Sequence, residues 1–469
     1  MGHRGTIGDP EEGSLIGPDR PQRLEAEGSA VPRNRYVDLL RVGAIALVAL
    51  GHWLLTSLSY RQGHFVIGDV LGRIRWARWL TLGFQVMPVF FLVGGFANAI
   101  SWSAHRDEGW TAWLHRRVRR LLWPTTLFVA TALVVVTGCR LVGVDPTDLS
   151  QGAWAVAIQL WFLPVYLLLL LGTPAMYAAH RRWGLWMPAT LILGAGLVDA
   201  LVLGLGWSWM GWANYLLVWG AAHQLGFAWH DGGLTHRRWM PLALAGVGAG
   251  ALAALVGLGP FPLSMIGVPG APIDNAAPPT VALAALAVCQ TGVVVAMAGR
   301  AARLLTRPPL WRFVQRANAS VMTIYLWHMV PVIPLAVALY PSRVVVEPSI
   351  GSASWWWMRL PWLAMLAALT VPLVIAVGRL EYRGLALTAP PRSERRSTWM
   401  LLTGVGAVTF ALFRFTIGGF DPADRMPLVA IATYLSALML IFGPGFSTHG
   451  GARAHLLAWH RDPEATPVR

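Results

Sequence analysis

The chain has 469 residues, of which 55% are apolar and only 13% charged. That balance excludes an ordinary soluble domain, which needs a polar shell, and the long apolar runs exclude the alternating strands of a membrane β-barrel. The net charge of +15 is carried by arginine alone, with no lysine anywhere. Most arginines fall in short loops between apolar runs, where positive charge sets orientation. No basic stripe with interleaved aromatics points to nucleic acid.

Residues 1–34 read as a polar, disordered cytoplasmic tail. A bilayer core of ~30 Å needs about 20 apolar residues per helical span. On that measure spans are expected at 37–58, 80–102, 120–138, 153–176, 185–204, 210–229, 239–258, 279–299, 318–340, 356–378, 398–416 and 427–445. The fold class is therefore an all-α integral membrane protein. It divides into a ten-span core over 35–380, a cytoplasmic loop at 381–397, an additional transmembrane hairpin at 398–445 and a cytoplasmic tail at 446–469. The run 239–258 is almost all Ala, Gly, Leu and Val and suits close helix packing.

Orientation follows from arginine. Arg116–Arg120, Arg181–Arg182, Arg237–Arg238, Arg300–Arg316 and Arg379–Arg396 fall on one side, whereas loops 205–209 and 259–278 have no basic residue. This places both termini in the cytoplasm and the chain in the inner (plasma) membrane. One loop disagrees: residues 59–79 belong outside yet hold Arg61, Arg73, Arg75 and Arg78. We read that loop as functional.

Ionisable groups at membrane depth are costly and mark function. The first span holds Asp38, Arg41 and His52. Arg41 and His52 are separated by ~16 Å along one helix, near the same face. With Arg41 at the cytoplasmic boundary, His52 lies near mid-membrane or just beyond, where an imidazole accepts and returns a proton. His328 should sit at a similar depth, and His223 nearer the cytoplasm as a structural residue. Asp199 is isolated in an apolar run and needs a partner, for which either deep histidine would serve. Arg117 and Arg120 set topology or clamp phosphate through their guanidinium forks, and Arg312 and Arg316 would add to such a clamp. Cys139 and Cys289 form neither a disulfide framework nor a metal cluster. The histidines lie on different spans without a close pair, so no metal is expected. A basic cytoplasmic layer below a His/Gln/Asp layer fits a donor with a charged head and a long thin arm, the shape of coenzyme A.

Several segments in order resemble a known family. The run Tyr36-Val-Asp38-Leu-Leu-Arg41, continuing to His52, is similar to the opening span of the acyltransferase family 3 membrane proteins, whose mark is a basic residue, ten intervening residues and a histidine. Pro88-Val-Phe-Phe-Leu-Val-Gly-Gly-Phe96 resembles the second span, with Gly94 where the family more often has serine. Arg117-Val-Arg-Arg120 with Pro124, Gln159-Leu-Trp161-Phe-Leu163, and Asn318-Ala-Ser320 with Tyr325-Leu-Trp-His328 resemble three further elements. The resemblance covers about 35–380, leaving 398–445 as an addition.

It implies O-acylation, commonly O-acetylation, from an acyl-CoA donor to a hydroxyl of a carbohydrate, glycolipid or other extracytoplasmic acceptor of the cell envelope. His52 would be catalytic, as base or acyl carrier, with Arg41 and Asp38 as further members of the catalytic set and Arg41 orienting or holding the donor. Arg117 and Arg120 would hold donor phosphates. Gln159, Trp161, Tyr325 and His328 would position the acceptor or stabilise the oxyanion. The alternative is a proton-coupled transporter or flippase with a His52/Asp199/His328 relay.

Overall fold

The computed structural model describes residues 34–342, 348–387 and 397–443, without the side chains of 382–387. Both tails and most of the loop expected at 381–397 lie outside the described residues. In chain order the elements are α1 (Arg35–Leu55), β1 (Leu58–Arg61), β2 (His64–Ile67), α2 (Val70–Arg73), α3 (Ala77–Phe84), α4 (Met87–Ala104), α5 (Trp110–Leu141) and α6 (Pro146–Ala157). Then come α7 (Phe162–Trp183), α8 (Trp186–Leu205), α9 (Asn214–His230), α10 (Met240–Gly257), α11 (Val281–Leu304) and α12 (Pro308–Ala319). The last are α13 (Val321–Trp327), α14 (Val332–Leu339), α15 (Ala353–Leu387), α16 (Thr398–Gly418) and α17 (Leu428–Phe442). Among the described residues, ten helical stretches are long and apolar enough to cross a membrane. The protein is an all-α integral membrane protein. Two expected spans are shorter than read: α9 is 17 residues long and almost wholly buried, and α17 has 15.

Three spans are broken, each beside a proline. Proline has no N–H to give the carbonyl four residues back, and its ring clashes with that carbonyl. Pro88 opens α4 just after the break at Gln85–Val86, and Val86 N bonds Phe84 O at 2.9 Å instead. Pro164 follows the 3-10 turn Ile158–Trp161 that joins α6 to α7. Pro331 ends the span expected at 318–340 after Trp327, so His328 falls in a turn between α13 and α14. Freed carbonyls at membrane depth must find donors or line a cavity. Gln290 Nε2 donates to Leu82 O at 3.1 Å and to Gln85 O at 2.9 Å, Gln159 Nε2 donates to Leu326 O, and Trp53 Nε1 donates to His328 O at 2.8 Å.

Small residues let the helices between these breaks approach closely. A Cβ at Gly95 would stand 2.0 Å from His223 O, fixing α4 against α9. On α10 and α11, a Cβ at Gly248 would meet Cys289 N at 2.3 Å, the packing expected of the run 239–258. The pair α16/α17 is built into the main core: Phe415 and Phe420 are fully buried, with the Phe420 ring 6.1 Å from that of Phe128. Arg140 holds the connecting turn through Asp421 at 2.9 Å and Asp424 at 2.6 Å.

The loop expected outside at 59–79 is folded. β1 and β2 pair antiparallel from Leu58↔Ile67 to Arg61↔His64, around a turn in which Gln62 and Gly63 both have positive φ, at 52° and 88°. That turn type matches strand twist. Phe65 N donates to Asp148 Oδ1 at 2.9 Å, tying the hairpin to α6.

Candidate active site

The site is built on the inward face of α1. Ala46 and Leu47 on this helix are exposed, while Asp38, Ile45 and Ala49 on the opposite face are buried. Arg41 and His52 belong to that buried face, ~20° apart around the axis. His52 is nevertheless exposed, and it bonds a residue only 1% exposed, His328. Its Nδ1 edge is thus held against the buried interior of the bundle.

His52 Nδ1 lies 2.8 Å from His328 Nε2, and the two rings stack 5.1 Å apart at 22°. His328 Nδ1 is in turn 2.8 Å from Tyr325 O. A carbonyl oxygen only accepts, so His328 Nδ1 carries the proton and its Nε2 holds a lone pair. His52 Nδ1 must then be the donor to that lone pair. The remaining His52 nitrogen, Nε2, is left with a lone pair that no protein group engages among the described residues. The break before Pro331 matters here, because it places His328 and the Tyr325 carbonyl at the end of α13.

Around this pair the broken segments are stitched together. Tyr325 OH donates to Gln159 O, and Gln159 Nε2 donates to Leu326 O. Gln159 is 2% exposed and Tyr325 3%. Three of the four residues expected to meet an acceptor, Gln159, Tyr325 and His328, thus lie behind His52 and bond the protein itself. Trp161 is half-buried, its ring 5.7 Å from that of Trp219.

Toward the other end of α1 lies the arginine layer. Arg117 reaches inward and donates to Ala97 O at 3.0 Å and Asn98 Oδ1 at 2.9 Å, while its Nε is buried without a partner. Arg41, Arg116 and Arg120 all interact with it electrostatically. Arg120 itself is exposed. Asp38 is buried, accepts from Asn318 Nδ2 at 3.2 Å and stands 3.9 Å from Arg41. Arg116 pairs with Glu108 and Arg41 stands near Asp38, but among the described residues no carboxylate pairs with Arg117, whose positive charge is therefore not offset. An anionic group is what such a layer binds.

Two residues went unread in the sequence. Asn98 is fully buried, and it joins Arg117, His223 Nε2 at 3.1 Å and Tyr166 OH at 3.4 Å. An amide inside the apolar run of α4 was its available signal. Arg359, 7% exposed, donates to Thr56 O at 2.6 Å just past the end of α1, with its guanidinium 4.2 Å over Trp355. A cation there suits the helix C-terminus. Asp199 is not partnered by either deep histidine. It accepts from Asn214 Nδ2 at 2.7 Å and from Val281 N at 2.6 Å, at the start of α11.

A family model described as an acyltransferase domain matches residues 34–379. The chain belongs to acyltransferase family 3. Searches against curated proteins and against solved structures gave no match. The family match ends before α16, so the hairpin that packs into the core of this acyltransferase lies beyond the matched region.

Proposed function

We propose that the protein moves an acyl group, acetyl in the simplest case, from acyl-CoA to a hydroxyl of a carbohydrate or glycolipid acceptor, at His52. The observation that carries this reading is the His52–His328–Tyr325 carbonyl chain, which engages His52 Nδ1 and leaves the Nε2 lone pair unengaged on an exposed side chain. The arginine layer of Arg41, Arg117 and Arg120 supports a donor whose phosphates stay on the cytoplasmic side while its thioester reaches along α1. The ~16 Å from Arg41 to His52 suits a long thin arm.

In the step itself, His52 Nε2 takes the proton of the acceptor hydroxyl as the oxygen attacks the thioester carbonyl. The tetrahedral intermediate collapses with loss of the CoA thiolate. The imidazolium returns the proton to that sulfur, and His52 is neutral again. During the step His328 Nε2 accepts from the charged ring and holds it in place, much as a carboxylate does in a hydrolase triad. Asp38 positions Arg41, and Arg359 anchors the carbonyl just past the far end of the helix. In the covalent route, the same Nε2 lone pair would carry the acyl group before the acceptor arrives. A proton relay through Asp199 gains no support, since that carboxylate bonds Asn214 and the start of α11.

The test is transfer of label from acetyl-CoA in membranes containing equal amounts of wild type or His52→Ala, with extracted lipids and glycans as acceptors. Labelled product with wild type and background with the variant is the expected result. Equal labelling by both proteins would remove His52 from the mechanism.

A further inference from the structure

The outer end of the molecule, as oriented by arginine, holds a cavity of about 330 Å³ between the 69–78 segment and the 262–273 loop. Its volume falls in the range of small-molecule sites. Arg78 lines it, together with Gly72, Ser264, Ile266 and Gly270. Arg78 Nε donates to Leu71 O at 2.9 Å, which fixes the fork and leaves both terminal nitrogens without a protein acceptor among the described residues. Arg73 and Arg75, in the same segment, are exposed. Two acids lie nearby, and among the described residues neither pairs with Arg78. Asp69 accepts from Gly72 N at 2.7 Å, and Asp274 accepts from Ala276 N at 2.7 Å, with burial pushing the Asp274 carboxyl up.

The walls are held in place before any ligand arrives. Asn275 Nδ2 ties Pro262 O at 2.7 Å and Ser264 O at 3.0 Å, and Thr81 Oγ1 accepts from Met265 N at 3.0 Å. Thr81 sits on α3, the helix that begins beside Arg78 and ends at Phe84. A Cβ at Gly51 would stand 3.2 Å from the Phe84 ring. Arg78 is thus ~9 Å along α3 from a residue packed against the neighbour of His52. These arginines contradict the charge rule for an outer loop, and a binding role accounts for them where topology does not.

We propose that this cavity binds the acidic group of the acceptor, a carboxylate or phosphate on a glycan or glycolipid, with Arg78 as its ligand. The proposal rests on the acyl-transfer reading for the word acceptor, but the binding does not need the reaction. The anion would be held at a distance from the hydroxyl that is acylated, so Arg78 would set acceptor affinity and orientation.

The experiment is a binding titration of full-length protein in nanodiscs with glucuronate, glucose 1-phosphate and glucose, without any acyl donor. Wild type and His52→Ala are expected to bind at least one of the two anions alike and to ignore glucose. The tighter anion identifies the group as carboxylate or phosphate. Arg78→Ala is expected to weaken that anion about tenfold, and Arg78→Lys to fall between, because a point charge replaces the fork. A thermal melt of each variant separates lost binding from lost fold. No binding of either anion by wild type, equal binding of glucose, or unchanged affinity in a folded Arg78→Ala protein overturns the proposal. Anion binding that depends on Arg78, in a protein that never transfers label, would instead overturn the acyl-transfer reading alone.

Discussion

Arg117 sits where charge and geometry both count. Its guanidinium donates to Ala97 O and Asn98 Oδ1 and still presents positive charge beside Arg41. Both bonds come from Nη2, which leaves Nη1 for an anion, whereas lysine keeps the charge but has a single nitrogen for both tasks. Arg117→Lys is therefore expected to raise the KM for acyl-CoA about tenfold, leaving the KM for the acceptor unchanged, as initial-rate kinetics in membranes would show. Wild-type donor KM in that variant would remove Arg117 from donor binding. The Arg41–His52 relation was legible in the sequence because both residues lie on one helix, where spacing alone fixes the face. The His52–His328 bond was not, because it joins residues 276 positions apart, and depth matching cannot establish contact. The acidic residue met the same limit: Asp199 needed a partner, and its partners are an amide on the next helix and a backbone N–H on α11.

At the scale of elements, the site depends on broken helices. Pro331 keeps α13 from running into α14 and leaves His328 in the turn between them. Pro331→Ala supplies the missing N–H and removes the clash with Trp327 O, so the helix is free to continue. The expected outcome is a folded protein with unchanged or higher melting temperature and about 10²-fold lower activity, since a shift of about 1 Å at a catalytic group costs that much. Full activity in this variant would mean that the break does not position His328. The prolines themselves were visible in the sequence. Which of them breaks its span was not, since Pro124, Pro174, Pro361 and Pro372 all lie inside continuous helices. At each break a side chain from elsewhere takes up a carbonyl on the N-terminal side of the proline, whereas at Pro174 Gln224 reaches Met176 O beyond it. The loop at 59–79 was marked by its arginines, but its β-hairpin was not read, because four-residue strands carry little pattern.

For the whole molecule, the number of spans was nearly legible from apolar run length, and the family match over 34–379 agrees with the segments that resembled it. The integration of α16 and α17 was not legible, because it rests on contacts with α5 and α7 that no local pattern encodes. Arg140 supplies the ion pairs of that hairpin among the described residues, beside the Thr126–Tyr434 and Ser150–Asp421 hydrogen bonds. Burial pushes the Asp421 carboxyl up, Arg140 beside it pulls it back, and Asp424 adds to the rise. A carboxylate raised in the folded state binds its proton more tightly there than when unfolded, so its ionisation costs stability as pH climbs through the folded value. Arg140→Ala removes the compensating charge. Its melting temperature should fall well below wild type at neutral pH, and the gap should narrow on acidification. A gap independent of pH would place the hairpin's stability elsewhere. The most direct test of the whole account compares kcat and donor KM for acetyl transfer in His52→Ala and His328→Ala at matched expression. The account predicts background turnover in His52→Ala. In His328→Ala it predicts kcat reduced about 10²-fold with donor KM unchanged, and partial rescue in His328→Gln, whose amide oxygen can accept from His52. A His328→Ala protein as inactive as one lacking His52, with no rescue by glutamine, or an active His52→Ala protein, would contradict it.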